Sequence, residues 1–567
     1  MRRIVGNGGS GWPLRAGRAL ALAVCAVSGA LSAAESNDIH SGGDRLLAFS
    51  PADPWGNDWE PAPDAKPAAA LEICALRGTR QSAPLALANL SDTAFLGQVK
   101  VFDAAPPGLS FNHEGSQGAA RRVTVEEAIP LVNQSGGRRI YDPLAPLPMG
   151  TVVRIPARTT AALWFTFDAR DAQPGEYSAV LCIKRANPLF KSCELPVKIK
   201  VVDASLKDPP PVRMNSTQLL RHSVRHPGFA KFLVAHGFTT AHFNAQPAIW
   251  SSLDKNGNPV PGDASVYDGC IRAMLAAGLP PGRLSVFLFL MTDRVCFMRG
   301  RQRIAFGSDD WRKCLENSLA GLYGHLRTEF GLGTDRIILL PVDEPEGDPD
   351  DPGYKSTLSR AIASARAIKA GDPSRLLMVD PRINGTDESY REILARLAEC
   401  FDYLKLYRPR LTPARTAFAR TLPFKDISTY SILGKSNNPA IYRRAYWENA
   451  RDGFGPVASY WHLDAMAGGD GFDPTDANKR GVTTDYGTVY ADFDNGSVLS
   501  SRRQLASDAG YDDIRLVYAV RERTRGNPAK AARVEAIVKE AADAGTMAAI
   551  EKGRAELVAL LAGDVER

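Results

Sequence analysis

Two adjacent carboxylates, Asp343 and Glu344, follow directly on the almost wholly apolar run Arg336-Ile337-Ile338-Leu339-Leu340-Pro341-Val342. A run of this kind reads as a buried parallel strand. Burying either carboxylate unpaired costs several kcal/mol, so the pair is expected at an open rim where the strand leaves the core. Pro345 biases Glu344 away from the right-handed helical region, which holds both side chains at a strand-to-loop corner. In a parallel α/β barrel that corner belongs to the face where catalysis occurs. Two carboxyls placed there can pass a proton to and from a leaving oxygen and stabilise charge beside it, as glycosidic bond cleavage requires. The competing role is capping of the following helix. The other Asp-Glu dipeptide, Asp387-Glu388, reads as only a helix start.

Ordinary retaining glycosidases place their carboxylates roughly 5 Å apart on opposite sides of the sugar. Consecutive residues cannot easily straddle an anomeric carbon in that way. One is better used beside the leaving oxygen and the other against a neighbouring substrate group, which is what substrate-assisted cleavage of a 2-acetamido sugar needs. Repulsion within the pair and partial burial are expected to push the two pKa values apart. Other residues at expected strand ends are candidates for substrate contact: His242, Asn244, Asp293, Asp380, Arg382, Tyr407, Tyr430, Trp461 and Asp464. Trp461 could stack on the apolar face of a sugar, and Tyr407 or Tyr430 could hydrogen-bond an acetamido oxygen. Core packing is the ordinary alternative for each of them.

These residues need a scaffold with several parallel strands, and the chain supplies the pattern. From 213 to 500, strand-like and helix-like segments alternate. Strands are expected at Met214–Leu219, Phe238–Asn244, Leu284–Met291, Arg336–Val342, Arg375–Asp380, Phe401–Tyr407, Asp426–Tyr430 and Pro456–Trp461. Eight such strands fit a (β/α)8 barrel, with a doubly wound open sheet as the alternative. Before them, residues 35–204 carry short β-type segments separated by Gly and Pro, including Ala162-Leu163-Trp164-Phe165-Thr166-Phe167. That spacing indicates an antiparallel β-sandwich. Residues 205–212, with three consecutive prolines, read as a linker. Residues 501–567 read as a helical tail packing on the barrel.

The 567 residues are enough for two or three domains. Met1 to Ala34 has a basic start, an apolar stretch at Ala19–Leu31 too short to span a bilayer, and small residues before Glu35, the pattern of an export signal. The chain is therefore expected to be exported, to a periplasm or outside the cell, with no integral membrane segment after signal removal. Arg2, Arg3, Arg15 and Arg18 carry +4 of the net charge of +6, so the remainder is nearly neutral, which argues against a nucleic-acid partner. Seven cysteines remain, and Cys182 and Cys193, flanking an expected hairpin loop, are the first candidates for a disulfide. No metal or organic cofactor is expected: His222 and His226 lack a glutamate between them, and Glu346 to Asp351 reads as a solvated loop rather than a calcium site. The expected partner is an oligosaccharide or polysaccharide substrate.

Three local patterns resemble the glycoside hydrolase 123-like family of exported proteins. They are Leu163-Trp164-Phe165-Thr166-Phe167 with Pro174-Gly175-Glu176-Tyr177, then Pro341-Val342-Asp343-Glu344-Pro345, and last Ser501-Arg502-Arg503-Gln504 with Ala509-Gly510-Tyr511-Asp512-Asp513. The resemblance implies a sandwich, a (β/α)8 barrel and a tail module. It also implies a retaining β-N-acetylgalactosaminidase that uses the acetamido group of its substrate, with Glu344 as general acid/base and Asp343 orienting and stabilising the acetamido nucleophile. Asp512 stands where the family pattern has Glu, and residues 468–485 do not follow it. The alternatives are a carbohydrate-binding protein without turnover, or a hydrolase of a plain sugar with a nucleophile such as Asp380 or Asp464.

Overall fold

The computed structural model describes residues 46–563 except 52, 57, 63, 104–117, 133–138, 149, 187–192, 207–225, 432, 434–436, 456–457, 460–487 and 493–496, all within one compact unit, Asp38–Arg567. Residues 35–204 contribute two facing β-sheets. One has the strand order Leu71–Arg77, Cys193–Ser205, Gly175–Arg185, Phe95–Asp103, Val152–Ile155. The other begins Leu46–Phe49, Arg80–Asn89, Thr160–Asp168, Val123–Val132, Arg139–Pro146. Alternation does the packing. Leu163, Phe165 and Phe167 point into a core shared with Leu181, Leu195 and Val197 of the facing sheet. One pair departs from the expected antiparallel pattern, since Leu71–Arg77 runs parallel to Cys193–Ser205. The suggested disulfide is not formed. Cys182 is in register with Glu194 and Cys193 with Ile183, so the two side chains leave opposite faces of the sheet and cannot be bridged to each other.

The second half builds a sheet of seven parallel strands: Thr240–Asn244, Ser285–Phe289, Ile337–Leu340, Leu376–Val379, Tyr403–Tyr407, Asp426–Tyr430 and Ala458–Ser459. They neighbour one another in sequence order, with no reversal. The strand expected at Met214–Leu219 lies outside the described residues. Odd and even positions divide cleanly between the two faces. Val286, Leu288, Ile337, Leu339, Leu377, Leu404 and Leu406 pack with helix residues such as Leu315, Leu319, Leu358 and Leu394. Phe287, Phe289, Ile338, Leu340, Leu376 and Met378 face the other way, into a small core made of strand residues alone. A doubly wound sheet would carry helices on both faces and reverse its strand order. Here the sheet is singly wound, as the wall of a barrel is.

The helices follow their expected signals. Asp309–Phe330 starts at Ser308, whose hydroxyl accepts from the Trp311 amide, and stops at Gly331, where φ is 66°. Its Trp311, Leu315, Leu319, Leu322 and Leu326 fall on one buried stripe. Each such side chain contributes roughly 1.5–3 kcal/mol by leaving water. Among the described residues, no helix is long and apolar enough to cross a membrane.

The C-terminal segment does more than pack on the parallel sheet. Ser497–Ser501 pairs antiparallel with Arg139–Pro146, so the chain returns to extend the sandwich before its last helices begin. Arg502–Thr524, Pro528–Ala544 and Met547–Ala562 then share a core with Phe49, Trp55 and Trp164 of the sandwich and with Tyr446 and Trp447 of the Ala440–Asp452 helix. The Ser501-Arg502-Arg503-Gln504 segment is the joint. Ser501 caps the helix by accepting from the Gln504 amide. Arg502 donates to the carbonyls of Trp55 and Gly56, each at 2.6 Å. Arg503 reaches Asp142 through Nε at 2.9 Å and Nη2 at 2.8 Å, and the Tyr490 hydroxyl joins at 2.6 Å. Asp513 likewise holds Arg443, Arg554 and Trp447.

Because Arg503 is fully buried, removing its counter-ion strands a charge in the interior. Asp142→Ala is therefore expected to lower stability by about 3–5 kcal/mol, read from chemical denaturation. A loss under about 1 kcal/mol would mean that water reaches the pair.

Candidate active site

The side chains on the helix-free face change character along the strands. Nearer the strand starts they are apolar, and at the C-terminal ends they become Asp380, Lys405, Tyr407 and Tyr430. All four sit at the parity that points away from the helices. Asp343 and Glu344 come just after Ile337–Leu340, at the same end of the sheet.

The chain is pinned where it turns. The Pro341 carbonyl accepts from the Thr292 amide at 2.8 Å and the Thr292 hydroxyl at 3.0 Å. Beyond the pair, the Arg382 amide donates to the Pro345 carbonyl at 3.0 Å. Between these anchors Glu344 takes a positive φ of 43°, in the left-handed region that a non-glycine residue enters at a cost. Its amide donates to Asp380 Oδ1 at 3.1 Å. The expectation that Pro345 would keep Glu344 out of the right-handed helical region holds, although the angle it adopts is the less common left-handed one.

Glu344 Oε1 accepts from the Tyr430 hydroxyl at 2.6 Å. Burial, and then the surrounding carboxylates, hold the Tyr430 phenol far above its ordinary pKa, so it remains the donor. The Tyr407 ring lies 5.2 Å from that of Tyr430, and the Lys405 ammonium sits 5.4 Å from the Tyr430 ring centre. Asp343 is raised above the usual carboxylate range by burial and by the Glu344 charge, with Lys405 pulling it down. Asp380 is raised well above that range by burial and by Asp343, again opposed by Lys405. Burial draws Lys405 below the usual lysine range, against the pull of Asp380 and Asp343. One buried cation thus stands among three carboxyls. Such a set resolves by leaving some groups neutral and others charged, which is how one site can hold both an acid and a base.

Of the residues expected from sequence, Asp343, Glu344, Asp380, Tyr407 and Tyr430 come together here. His242 lies against Phe289, nearly parallel at 4.9 Å, and edge-on to Phe287 at 4.8 Å. Asn244 is exposed, and its backbone carbonyl accepts from Tyr267 and Gln246. The Arg382 side chain is exposed, and its link to the site is through the backbone. Trp461 and Asp464 lie outside the described residues. Lys405 was not anticipated, although a single charge inside Tyr403-Leu404-Lys405-Leu406-Tyr407, at the parity of the two tyrosines, is a usable signal. His226 precedes the helix Pro227–Ala235, and among the described residues no cluster of His, Cys, Asp and Glu could hold a metal. Asp351 accepts from the amides of Gly353, Lys355 and Ser356, folding its loop on itself.

No protein-family model and no curated protein matches this chain. A family 123 glycoside hydrolase from Clostridium perfringens, solved in a study of glycolipid glycan hydrolysis, is similar in structure with a TM-score of 0.66. The match covers 92% of this chain and 99% of that one at 11% identity. The two share a fold. At that identity the likeness extends to architecture and leaves the reaction to be argued from the site. A family 39 glycoside hydrolase from Bacteroides cellulosilyticus aligns over 77% of this chain and 81% of its own, with 11% identity and a TM-score of 0.35. A Bacteroides ovatus xyloglucanase aligns over 78% of this chain and 98% of its own, with 10% identity and a TM-score of 0.27. Neither of the last two adds to the argument.

Losing the Tyr430 hydroxyl removes the hydrogen bond to Glu344 Oε1, a contact worth about 1–3 kcal/mol. Tyr430→Phe is expected to reduce turnover at this site by at least about tenfold without lowering the melting temperature appreciably. Unchanged turnover would show that Glu344 does not need the contact.

Proposed function

We propose that this chain is an exported glycoside hydrolase with a closed (β/α)8 barrel. Its substrate is a β-linked N-acetylhexosamine, N-acetylgalactosamine being favoured, cleaved with retention through the sugar's own acetamido group. The observation that carries this reading is the position of Asp343 and Glu344, consecutive at a strand end, with Glu344 fixed by the Tyr430 hydroxyl. Their Cα atoms can be only about 3.8 Å apart, so the two carboxyls serve one side of the sugar. The nucleophile then has to come from elsewhere, and the acetamido carbonyl oxygen is in reach of the anomeric carbon.

In this mechanism the Glu344 carboxyl gives its proton to the glycosidic oxygen as the C1–O bond breaks. The acetamido oxygen closes on C1, forming a protonated oxazoline that keeps the amide N–H. Asp343 accepts the amide N–H and balances the positive charge that develops on it. Glu344, now a carboxylate, takes a proton from water as the water oxygen attacks C1 and the oxazoline opens. Burial and then Glu344 raise Asp343, and Lys405 opposes them, working toward the charged form that this role needs. A plain-sugar hydrolase would need a separate carboxylate nucleophile. Asp380 suits that poorly, because burial favours its neutral form and Oδ1 already accepts from the Glu344 amide.

The test uses residues 35–567 with aryl β-N-acetylgalactosaminide, β-N-acetylglucosaminide, β-galactoside and β-glucoside. Release from the acetamido sugars alone is the expected result. Cleavage of the plain sugars would discard the acetamido mechanism. Binding of oligosaccharide without turnover on any of the four would favour the non-catalytic reading.

A further inference from the structure

One cleft in the described structure lies away from Asp343 and Glu344. It lies at the other end of the parallel sheet, where segments preceding the strands Thr240–Asn244 and Ser285–Phe289 face the outer surface of the sandwich sheet, with the Arg502–Thr524 helix as a third wall. Its volume is about 550 Å³. The sandwich wall is an ordered row of polar side chains. Arg80 is in register with Asp168, Ser82 with Thr166, and Pro84 with Trp164, all on one face of the sheet. The Ser82 and Thr166 hydroxyls are hydrogen-bonded to each other at 2.8 Å. From Arg80 to Pro84 the strand runs about 13 Å, longer than a single sugar ring.

Two donors along this row meet no acceptor among the described residues. Arg80 Nε and Trp164 Nε1 are buried, line the cleft, and find no hydrogen-bond partner among the described residues. Buried donors are ordinarily satisfied, and an orphan calls for a bound acceptor or a function. Five arginines and three carboxylates, Asp508, Asp512 and Glu551, line the cleft, and Arg170, Arg443 and Arg515 are already paired with Asp168, Asp513 and Asp512, which leaves Arg80 to meet an anion. Those carboxylates are engaged, Asp508 with His236, Asp512 with Arg515 and Glu551 with Arg443. Asp168 is held by Arg170 through both oxygens. Glu126, cross-strand from Trp164, is pushed by burial up to about 7 and so is a weak counter-ion for Arg80 near neutral pH.

We propose that this cleft is a second binding site, for a short acidic oligosaccharide. Its carboxylate or sulfate pairs with the Arg80 guanidinium, and its hydroxyls run along Ser82 and Thr166 to accept from Trp164 Nε1. The site is separate from the carboxylate cluster and does not depend on turnover there. It would hold an acidic portion of a glycan, or a product of its breakdown, on the face opposite the catalytic end.

The experiment titrates full-length Glu344→Gln protein by calorimetry with digalacturonate, a sulfated disaccharide and lactose. Binding of at least one acidic disaccharide, with lactose at least about tenfold weaker, is the expected result; the two acidic arms distinguish carboxylate from sulfate. Arg80→Gln should weaken that binding about tenfold or more with a melting temperature close to the parent's, while Trp164→Phe should weaken it several-fold and also lower the melting temperature, because the indole is part of the core. An N-acetylgalactosamine-derived thiazoline, directed at the acetamido site, should not compete. Equal binding of lactose, no binding of either acidic probe, competition by the thiazoline, or an Arg80→Gln protein that loses stability but not affinity would each overturn the proposal. None of these results depends on whether the aryl glycosides are cleaved.

Discussion

Glu344→Gln is expected to lower kcat/KM on aryl β-N-acetylgalactosaminide by about a hundredfold to ten-thousandfold, the range that a positioned general acid/base contributes. The glutamine keeps the volume of the side chain and can still meet the Tyr430 hydroxyl, which lies 2.6 Å from Oε1 in the parent. It cannot carry a proton in either direction. The loss should grow as the aryl leaving group becomes more basic, because a poor leaving group depends most on protonation. Added azide should restore turnover partly, by attacking the oxazoline without needing a base. The melting temperature should stay near the parent's, since the positive φ at Glu344 is a backbone property that the substitution leaves in place. Retention of more than about a tenth of the parent rate would remove Glu344 from the chemistry.

The second large effect is expected at Lys405. Its ammonium is the buried cation among Asp343, Glu344 and Asp380, and it opposes the upward shifts of Asp343 and Asp380. Lys405→Met removes that opposition, so Asp343 should hold its proton to higher pH. The acetamido-stabilising role needs the ionised form. Turnover near pH 6 should therefore fall by at least about tenfold, with part of it recovered as pH rises. In the pH profile of kcat/KM, the acidic limb should move to higher pH while the alkaline limb moves less. A uniform fall with no displacement of the acidic limb would assign Lys405 a structural role only.

The strands that carry the site were legible because each is a short apolar run of fixed period. Ile337–Leu340, Leu376–Val379 and Asp426–Tyr430 all fall inside their expected spans. The same period indicates which face a side chain takes, and it places Asp380, Tyr407 and Tyr430 together. It does not indicate where a strand stops facing its neighbours. Asn244, last in its strand, emerges into solvent, and Arg382, beyond its strand, points outward. Lys405 was passed over because a lysine inside a strand is usually solvated, whereas this one is buried among carboxyls.

The return of Ser497–Ser501 to the sandwich was hidden for a different reason. Its partner strand lies more than 300 residues earlier, and local pattern carries no information about so distant a pairing. The Arg502 and Arg503 pair read as part of a family motif. Their physical task became visible only with Asp142, Trp55 and Gly56 beside them.

The most direct test of the central claim varies the nucleophile itself. Aryl β-galactosaminides bearing acetyl, fluoroacetyl, difluoroacetyl and trifluoroacetyl groups on the 2-amino nitrogen would be compared by kcat/KM with the parent protein. Fluorine withdraws electron density from the carbonyl oxygen, so rates should fall steeply and in order across the series if that oxygen attacks C1. A flat series would contradict the account, because it would mean that the nucleophile is a residue of the protein or a water molecule and that Asp343 stabilises something other than an acetamido group.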